Sequence, residues 1–194
     1  VLAFIETMKM ENHNAIINTA AASNLGQMLI KVCNEDNIPL INIVRNQYQV
    51  KLLKDIGAKY ICNTSDLKFM QTLVNSIIET KATLAFDATG GGNEGKLPGQ
   101  ILSAMEIAAV KSSKNYSRYG SDTYKQLYIY GGLDHNPTIL KRSYGLEWGI
   151  GGWLLPTILK KIGCKKVQKM KYRIANNIKT TFSSKFTSHI SFEQ

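Results

Sequence analysis

Short apolar runs alternate with amphipathic segments along the first 130 residues of the chain. The runs are rich in aliphatic and aromatic residues and are too short for helices, which is typical of strands buried on both faces of a parallel sheet. They predict strands over residues 15–18, 40–44, 60–62, 84–87 and 127–130.

The segments between the predicted strands have helical periodicity. In the first of them, apolar side chains recur at i, i+3, i+4, i+7 and i+8, which places them on one helix face. These residues are Leu25, Met28, Leu29, Val32 and Cys33. Further helices are predicted over 47–56, around 70–78 and over 98–109. Gly57 is expected to follow the 47–56 helix as a C-cap, and Pro98 suits the first turn of the last helix.

This order of elements predicts a doubly wound α/β fold, because repeated strand–helix units build a parallel sheet with helices on both faces. The expected architecture is a three-layer Rossmann fold, and 194 residues suit a single domain. Beyond residue 137 the pattern weakens. It predicts a sixth, bent strand within 148–155, helices over 157–162 and near 172–181, and a short strand near the C-terminus.

A polar segment at 111–126 separates the last of the regular helices from the fifth predicted strand. Its Lys, Ser, Tyr and Asp residues predict an exposed loop. Such a loop either covers the ligand site or lacks fixed structure.

The turn between the first strand and the first helix is the strongest candidate for a ligand site. Ala20, Ser23 and Gly26 have the spacing of a glycine fingerprint in which two glycines are replaced, and Ser23 or Asn24 is expected to cap the helix. Two more small-residue turns follow predicted strands, at 88–92 and 131–132. Ligands bind at the carboxyl ends of the strands in such sheets, so the three turns predict a dinucleotide site with a phosphate at the helix N-terminus. A plain tight turn is the alternative for the first of them.

Arg45 stands 19 residues after Gly26, at the end of the second predicted strand. In dinucleotide-binding folds, an acidic residue near this position bonds the ribose 2′-hydroxyl of NAD, whereas an arginine accommodates the 2′-phosphate of NADP. The sequence therefore favours NADP over NAD, with a surface arginine as the alternative.

The composition argues against several kinds of site. The chain is 44% hydrophobic but has no apolar run long enough to cross a membrane as a helix. Its three cysteines and three histidines are widely spaced, so neither a disulfide framework nor a metal site is expected. The first residues do not have the pattern of a signal peptide, and a cytoplasmic location is predicted.

The net charge of +10 is concentrated near the C-terminus, where residues 160–194 hold 9 basic and 1 acidic side chains. Nucleic-acid binding and a solvated lysine face are the two interpretations of this segment. The lysines are not interleaved with stacking aromatic residues, so the solvated face is favoured and nucleic acid is not an expected partner.

The sequence argues against a nucleoside triphosphatase, a short-chain dehydrogenase and a serine hydrolase. Residues 90–96 read GGGNEGK, the spacing of a P-loop, but Leu97 stands where the magnesium-binding Ser or Thr would be and Pro98 follows. The sequence has neither a tyrosine four residues before a lysine nor a GxSxG elbow. Asp87 and Asp134 are expected to cap turns. The pattern identifies no catalytic acid or base.

Four motifs, taken in order, resemble a known family: TAAASNLGQ at 19–27, IGAK at 56–59, AFDATGGG at 85–92 and YIYGGLD at 128–134. Together they are similar to the cofactor domain of medium-chain dehydrogenase/reductases, near the zinc-type alcohol dehydrogenase and quinone oxidoreductase-like branch. The resemblance spans roughly residues 3–194.

The resemblance implies where a dinucleotide would lie. The pyrophosphate is expected on Ala22, Ser23, Asn24, Leu25 and Gly26. The adenosine ribose is expected near Arg45, Asn46 and Thr64, and the nicotinamide beside Thr89, Gly90, Gly131, Gly132 and Leu133.

The resemblance also implies an enzyme larger than this chain. Residues 1–194 would be the single cofactor domain, and the N-terminal substrate domain of the family is not in the sequence. The expected reaction is zinc-independent hydride transfer between NADP and a carbonyl, enone, quinone or alcohol, with this part alone inactive. A homodimer through the last strand, near 145–155, is expected, the alternative being a covered core strand. A non-catalytic Rossmann-like nucleotide-binding module is the alternative function.

Overall fold

The computed structural model describes residues 1–113, 117–183 and 191. Its strands are β1 Ile16–Asn18, β2 Leu40–Val44, β3 Tyr60–Asn63, β4 Leu84–Asp87, β5 Lys125–Ile129 and β6 Trp148–Gly152. They form one parallel sheet in the order β3-β2-β1-β4-β5-β6. This is the strand order of a Rossmann fold, so the predicted doubly wound architecture is confirmed.

Helices cover both faces of the sheet. They are α1 Leu2–Met10, α2 Asn24–Glu35, α3 Gln47–Asp55, α4 Phe69–Thr80, α5 Leu97–Ser112, α6 Leu155–Ile162 and α7 Cys164–Asn176. One apolar layer lies between the sheet and helices α4 and α5, and a second lies between the sheet and helices α1, α2 and α3. Ile17 belongs to the first layer and Ile16 to the second, as the alternation of side chains along a strand requires. The fold therefore has three layers.

Helix α1 has no counterpart among the sequence predictions. Six of its nine residues are buried, because it lies between the sheet and α6. Phe4 stacks on Phe86 of β4, with ring centroids 3.9 Å apart, and Trp153 meets Phe4 edge-on. A helix that is buried around most of its circumference has no polar face, so it lacks the periodicity by which helices are recognised.

The structure corrects two predictions in the C-terminal half. The helix expected near 172–181 is α7, which begins at Cys164 and ends at Asn176. Of the polar segment 111–126, the described residues 117–124 come directly before β5, so they lie at the amino edge of the sheet and do not cover the carboxyl edge. The strand expected near the C-terminus lies outside the described residues.

Helix α2 packs unusually close to the end of β1. A Cβ atom on Gly26 would lie 2.2 Å from the carbonyl oxygen of Ala21 and 2.7 Å from its Cα. Only glycine permits this approach, as the fingerprint spacing predicts. The position of the helix N-terminus therefore depends on one missing side chain.

Lys125 of β5 and Glu106 of α5 form a buried ion pair, with 2.7 Å between Nζ and Oε2 and side chains 0% and 9% exposed. Lys125 also donates to the Ser121 hydroxyl and the Thr123 carbonyl. Burial raises the pKa of Glu106, but hydrogen bonds from Lys125 and Ser121 outweigh it and hold the pKa below its usual range. The pair therefore stabilises the fold above about pH 4.3, the pKa of an unfolded Glu, and this stability is lost as the pH falls further.

Replacing Gly26 by alanine should destabilise the protein, because the new methyl group overlaps the Ala21 backbone. We expect the free energy of unfolding in urea to fall by about 2 kcal/mol. Gly152→Ala is the matched control, since nothing lies within 4 Å of a Cβ at that position. Equal stability of the two variants would contradict the close approach.

Lys125→Met should leave the Glu106 carboxylate buried without its cation, at a cost of about 3–5 kcal/mol in urea unfolding at pH 7. Adding Glu106→Leu to this variant removes the stranded charge, and the double variant should recover most of the loss. A double variant no more stable than Lys125→Met would show that the pair contributes packing rather than charge compensation.

Candidate functional site

The turn between β1 and α2 has the geometry of an anion site. Ser23 is the N-cap, in extended conformation, and its hydroxyl accepts from the Gly26 amide at 3.2 Å. The Ala22, Asn24 and Leu25 amides donate no hydrogen bond to any acceptor in the described part of the chain. Three amides at a helix N-terminus, with the positive end of the helix dipole behind them, suit a phosphate.

Ala20 occupies a position that favours glycine. Its φ is +48°, in the left-handed region. An alanine there costs about 1–2 kcal/mol relative to the common backbone regions. The sequence pattern identified Ala20 as a replaced glycine, and the structure shows that the backbone keeps the glycine-like conformation.

The end of β2 presents Arg45 to the same edge of the sheet. The Arg45 side chain is exposed, while its backbone is held on both sides: its amide donates to Gln49 Oε1 at 3.0 Å, and its carbonyl accepts from the Ser65 hydroxyl at 2.6 Å. Thr64 follows β3 and bonds through its amide to Val44 at the end of β2. Asn46 is engaged as the N-cap of α3, accepting from the Gln49 amide at 2.9 Å.

Asp87 ends β4 and is fully buried. Its Oδ1 accepts from the hydroxyls of Thr19 and Thr89, at 2.6 and 2.7 Å, and from the Thr89 amide. Its Oδ2 accepts from the Gly90 amide at 2.9 Å. Asp87 therefore caps the turn after β4, as expected, and also joins it to the end of β1. The link to Thr19 was missed, because a contact between residues 68 apart leaves no local pattern.

The glycine-rich segment 90–96 is not folded as a P-loop. It forms tight turns, in which the Gly95 amide donates to Gly91 and the Leu97 amide to Gly92. A Cβ on Gly91 would lie 2.1 Å from the Asn136 carbonyl oxygen, and one on Gly95 would lie 2.2 Å from that of Pro137. These glycines accommodate the chain that follows β5, and Lys96 pairs with Glu94 instead of pointing to a phosphate site. The geometry argues against the nucleoside triphosphatase alternative.

The turn after β5 is bonded to the turn after β4. The amides of Leu133 and Asp134 donate to the carbonyls of Ala88 and Thr89, both at 3.1 Å. Gly131 is needed there, since a Cβ would lie 2.8 Å from the Ala88 oxygen, whereas Gly132 faces open space. Asp134 accepts from the Asn136 amide and side chain, so it caps a turn as expected.

These turns enclose a cavity of about 490 Å³ at the carboxyl edge of the sheet. Six of the predicted site residues line it: Ala22, Ser23, Arg45, Thr64, Thr89 and Leu133. The other predicted residues do not line it: Asn24, Leu25, Gly26, Asn46, Gly90, Gly131 and Gly132. Lining residues that the sequence analysis did not name as ligand contacts include Gln49, Asn93 and Asp134. Gln49 lies one helical turn after Arg45, and that spacing is the one signal by which it could have been found.

Part of the basic C-terminal segment is used within the fold. The Arg173 guanidinium bonds both oxygens of Asp36, at 2.7 and 2.8 Å, and Glu35 at 2.9 Å. These hydrogen bonds, to Asp36 above all, hold the pKa of Arg173 above its usual value. Lys166 pairs with Glu6 at 3.1 Å. Val167 and Met170 of α7 pack against a small apolar cluster of Ala3, Ile158 and Ile162, and the remaining lysines of the helix are exposed.

Two features are absent from the described residues: a cluster of metal-binding side chains and a membrane-spanning helix. No group of three or more His, Cys, Asp or Glu side chains among them could hold a metal ion. None of their helices is both long enough and apolar enough to span a bilayer.

No protein-family model and no curated protein matches this chain. Solved structures resemble it. A protein assigned as an NADPH:quinone reductase from Mesorhizobium loti matches 91% of this chain and 46% of its own, with a TM-score of 0.68 and 24% identity. One from Bacillus thuringiensis matches 91% and 49%, with a TM-score of 0.63 and 16% identity.

The mitochondrial 2-enoyl thioester reductase of Candida tropicalis matches 90% of this chain and 45% of its own, with a TM-score of 0.59 and 17% identity. A complex of that reductase with NADP and crotonyl-CoA has a TM-score of 0.56. The chain thus spans about half the length of the reductases it resembles. The likeness to the fold of medium-chain dehydrogenase/reductases, which the four sequence motifs predict, is therefore confirmed.

Proposed function

We propose that this chain is the dinucleotide-binding domain of an NADP-dependent oxidoreductase of the medium-chain dehydrogenase type. One observation carries the proposal: Ala22, whose amide is unengaged, lines one cavity with Ser23 and Arg45, and the unengaged amides of Asn24 and Leu25 follow in the first turn of α2. Amides at a helix N-terminus bind a pyrophosphate, and an arginine at the end of β2 binds a ribose 2′-phosphate.

The cofactor would cross the sheet between these groups and the turns after β4 and β5. Its pyrophosphate would rest on Ala22, Asn24 and Leu25, with Ser23 and Gly26 shaping the turn. The adenosine ribose would lie against Arg45, Asn46 and Thr64. The nicotinamide would then extend toward Thr89, Gly90, Gly131, Gly132 and Leu133, because the adenosine half occupies the β2 side of the switch point.

When bound, NADP supplies the hydride chemistry, and the chain supplies binding and orientation. We propose a carbonyl, enone, quinone or alcohol as the small-molecule substrate. The substrate domain would be a separate half of the enzyme, since the similar reductases are about twice as long as this chain. Without that half no substrate is held against the nicotinamide, so this domain alone should bind cofactor and turn over slowly or not at all. Zinc independence and a cytoplasmic location belong to the same proposal, on the resemblance to quinone oxidoreductases.

Arg45→Ala should weaken NADP binding about tenfold or more and leave NAD binding unchanged, because only NADP has a 2′-phosphate to pair with the guanidinium. Dissociation constants for both cofactors, by calorimetry, test this. Arg142→Ala, which removes an exposed arginine away from the cavity, is the matched control and should bind both cofactors like the unchanged protein. Tighter NAD than NADP binding, or an Arg45→Ala variant with unchanged NADP affinity, would overturn the NADP assignment.

A non-catalytic Rossmann-like module is the second candidate function, and the left-handed Ala20 is the observation that favours it. A turn that has lost two of its glycines can keep the fold while losing affinity. NADPH fluorescence separates the two functions: enhancement on binding would support the oxidoreductase domain, and its absence at millimolar protein would support the module.

We also propose that two copies of this domain associate through β6. In the described part of the chain this strand has β5 on one side and no strand on the other. Such an edge pairs readily with a second copy. Trp148 and Ile150 are only half-buried and Gly152 is exposed, so the strand is open to a partner.

Gly152→Pro should convert a dimer into a monomer in sedimentation experiments at micromolar concentration. The Trp153 amide donates to Ile129 of β5, so the Gly152 amide points to the free edge, and proline removes it without breaking the β5 ladder. Gly152→Ala is the control and should remain dimeric. A monomeric unchanged protein would exclude this dimer.

A further inference from the structure

The hydrogen bonds around Asp87 define its charge. Two hydroxyls and two amides surround the carboxyl group, and each hydroxyl accepts a hydrogen bond of its own: Thr19 from the Ala88 amide at 2.9 Å, and Thr89 from the Gly92 amide at 3.3 Å. Because their acceptor positions face those amides, the two hydroxyl hydrogens are directed to Asp87 Oδ1. The carboxyl group therefore accepts from four donors and is a carboxylate.

Within the described part of the chain this carboxylate has no cationic partner. No salt bridge to Asp87 occurs among the described residues, and its side chain is 0% exposed. Its charge is therefore balanced by dipoles alone and is weakly screened by solvent. The Asp134 carboxylate, which lines the same cavity, is only half-buried.

Asp87 lies directly beneath the part of the cavity where the nicotinamide would rest. The Thr89 and Gly90 amides bond it at 2.9 Å, so a ring in van der Waals contact with that backbone would lie within roughly 7 Å of the carboxylate. This placement rests on the proposed cofactor site. A nicotinamide ring is cationic in NADP⁺ and neutral in NADPH.

We infer that Asp87 is a specificity-determining residue for the oxidation state of the cofactor: its buried, unpaired carboxylate favours NADP⁺ over NADPH. It does so through space and without touching the ring. The domain thereby lowers the reduction potential of the bound cofactor, which makes the bound reduced form a stronger hydride donor.

Coulomb's law with an effective dielectric constant of about 20 gives roughly a fiftyfold effect at this separation, as an upper value. We expect Asp87→Asn to lower the ratio of the NADPH and NADP⁺ dissociation constants about tenfold. For a two-electron couple this corresponds to a rise of about 30 mV in the potential of the bound cofactor.

The test measures both dissociation constants, NADPH by fluorescence and NADP⁺ by calorimetry, for the unchanged protein, Asp87→Asn and Asp134→Asn. Loss of structure around the turn would weaken both forms by the same factor, whereas loss of the buried charge changes their ratio. Asp134→Asn removes an equal charge from a more solvated place, and its ratio should change by less than about threefold.

A second measurement serves if Asp87→Asn does not fold. In the unchanged protein, raising the ionic strength should weaken both forms alike and leave their ratio constant, because a buried charge is little screened. An unchanged ratio in Asp87→Asn, or a ratio in the unchanged protein that falls with salt, would overturn the inference while leaving the NADP site intact. Failure of the unchanged protein to bind either form would instead overturn the proposed function.

Discussion

The hydrogen bond from Thr19 to Asp87 joins the ends of β1 and β4, the two central strands from which the chain leaves in opposite directions. After β1 the chain enters α2 on one face of the sheet, and after β4 it enters α5 on the other face. A crevice must open between two such departures. Three features hold the walls of the cavity together without filling it. They are the Thr19–Asp87 bond, the close approach at Gly26, and the bonds between the turns after β4 and β5.

The charges around the crevice are arranged in a line. Unengaged amides and Arg45 make the side near β1 and β2 attractive to phosphates, and the buried Asp87 makes the side near β4 attractive to a cation. An oxidised dinucleotide phosphate has the complementary order, with anionic phosphates at one end and a cationic ring at the other. The proposed function thus accounts for amides with no acceptor among the described residues and for a buried carboxylate with no cation bonded to it there, and it assigns the substrate to a second half of the enzyme.

The sequence predictions that rest on local patterns agree with the structure, whereas features that depend on tertiary contacts were missed or left undecided. The helical stripe of α2 and the buried runs of β2 and β4 are local patterns, and these elements lie where they were predicted. Helix α1 was missed because burial on most sides removes periodicity. The sequence predicts that the segment 111–126 either covers the site or lacks fixed structure, whereas its described residues 117–124 lie at the amino edge because they come directly before β5. In the cavity, Arg45 and Ser23 were anticipated from spacing, whereas Gln49 and Asn93 were not.

The sequence by itself determined the fold class, the order of strands and helices along the first 130 residues and the identity of the turns that could meet a ligand. Each of these rests on hydrophobic periodicity or on small residues at fixed spacing, both of which are properties of neighbouring residues. Only the tertiary structure decided which amides find no acceptor among the described residues and that the Arg45 backbone is held from both sides. It also decided that the glycines of 90–96 accommodate the chain after β5, and that Asp87 is a buried carboxylate with no cation bonded to it among those residues. Those outcomes depend on contacts between residues far apart in the chain, and burial and hydrogen-bond partners exist only after the sheet has formed.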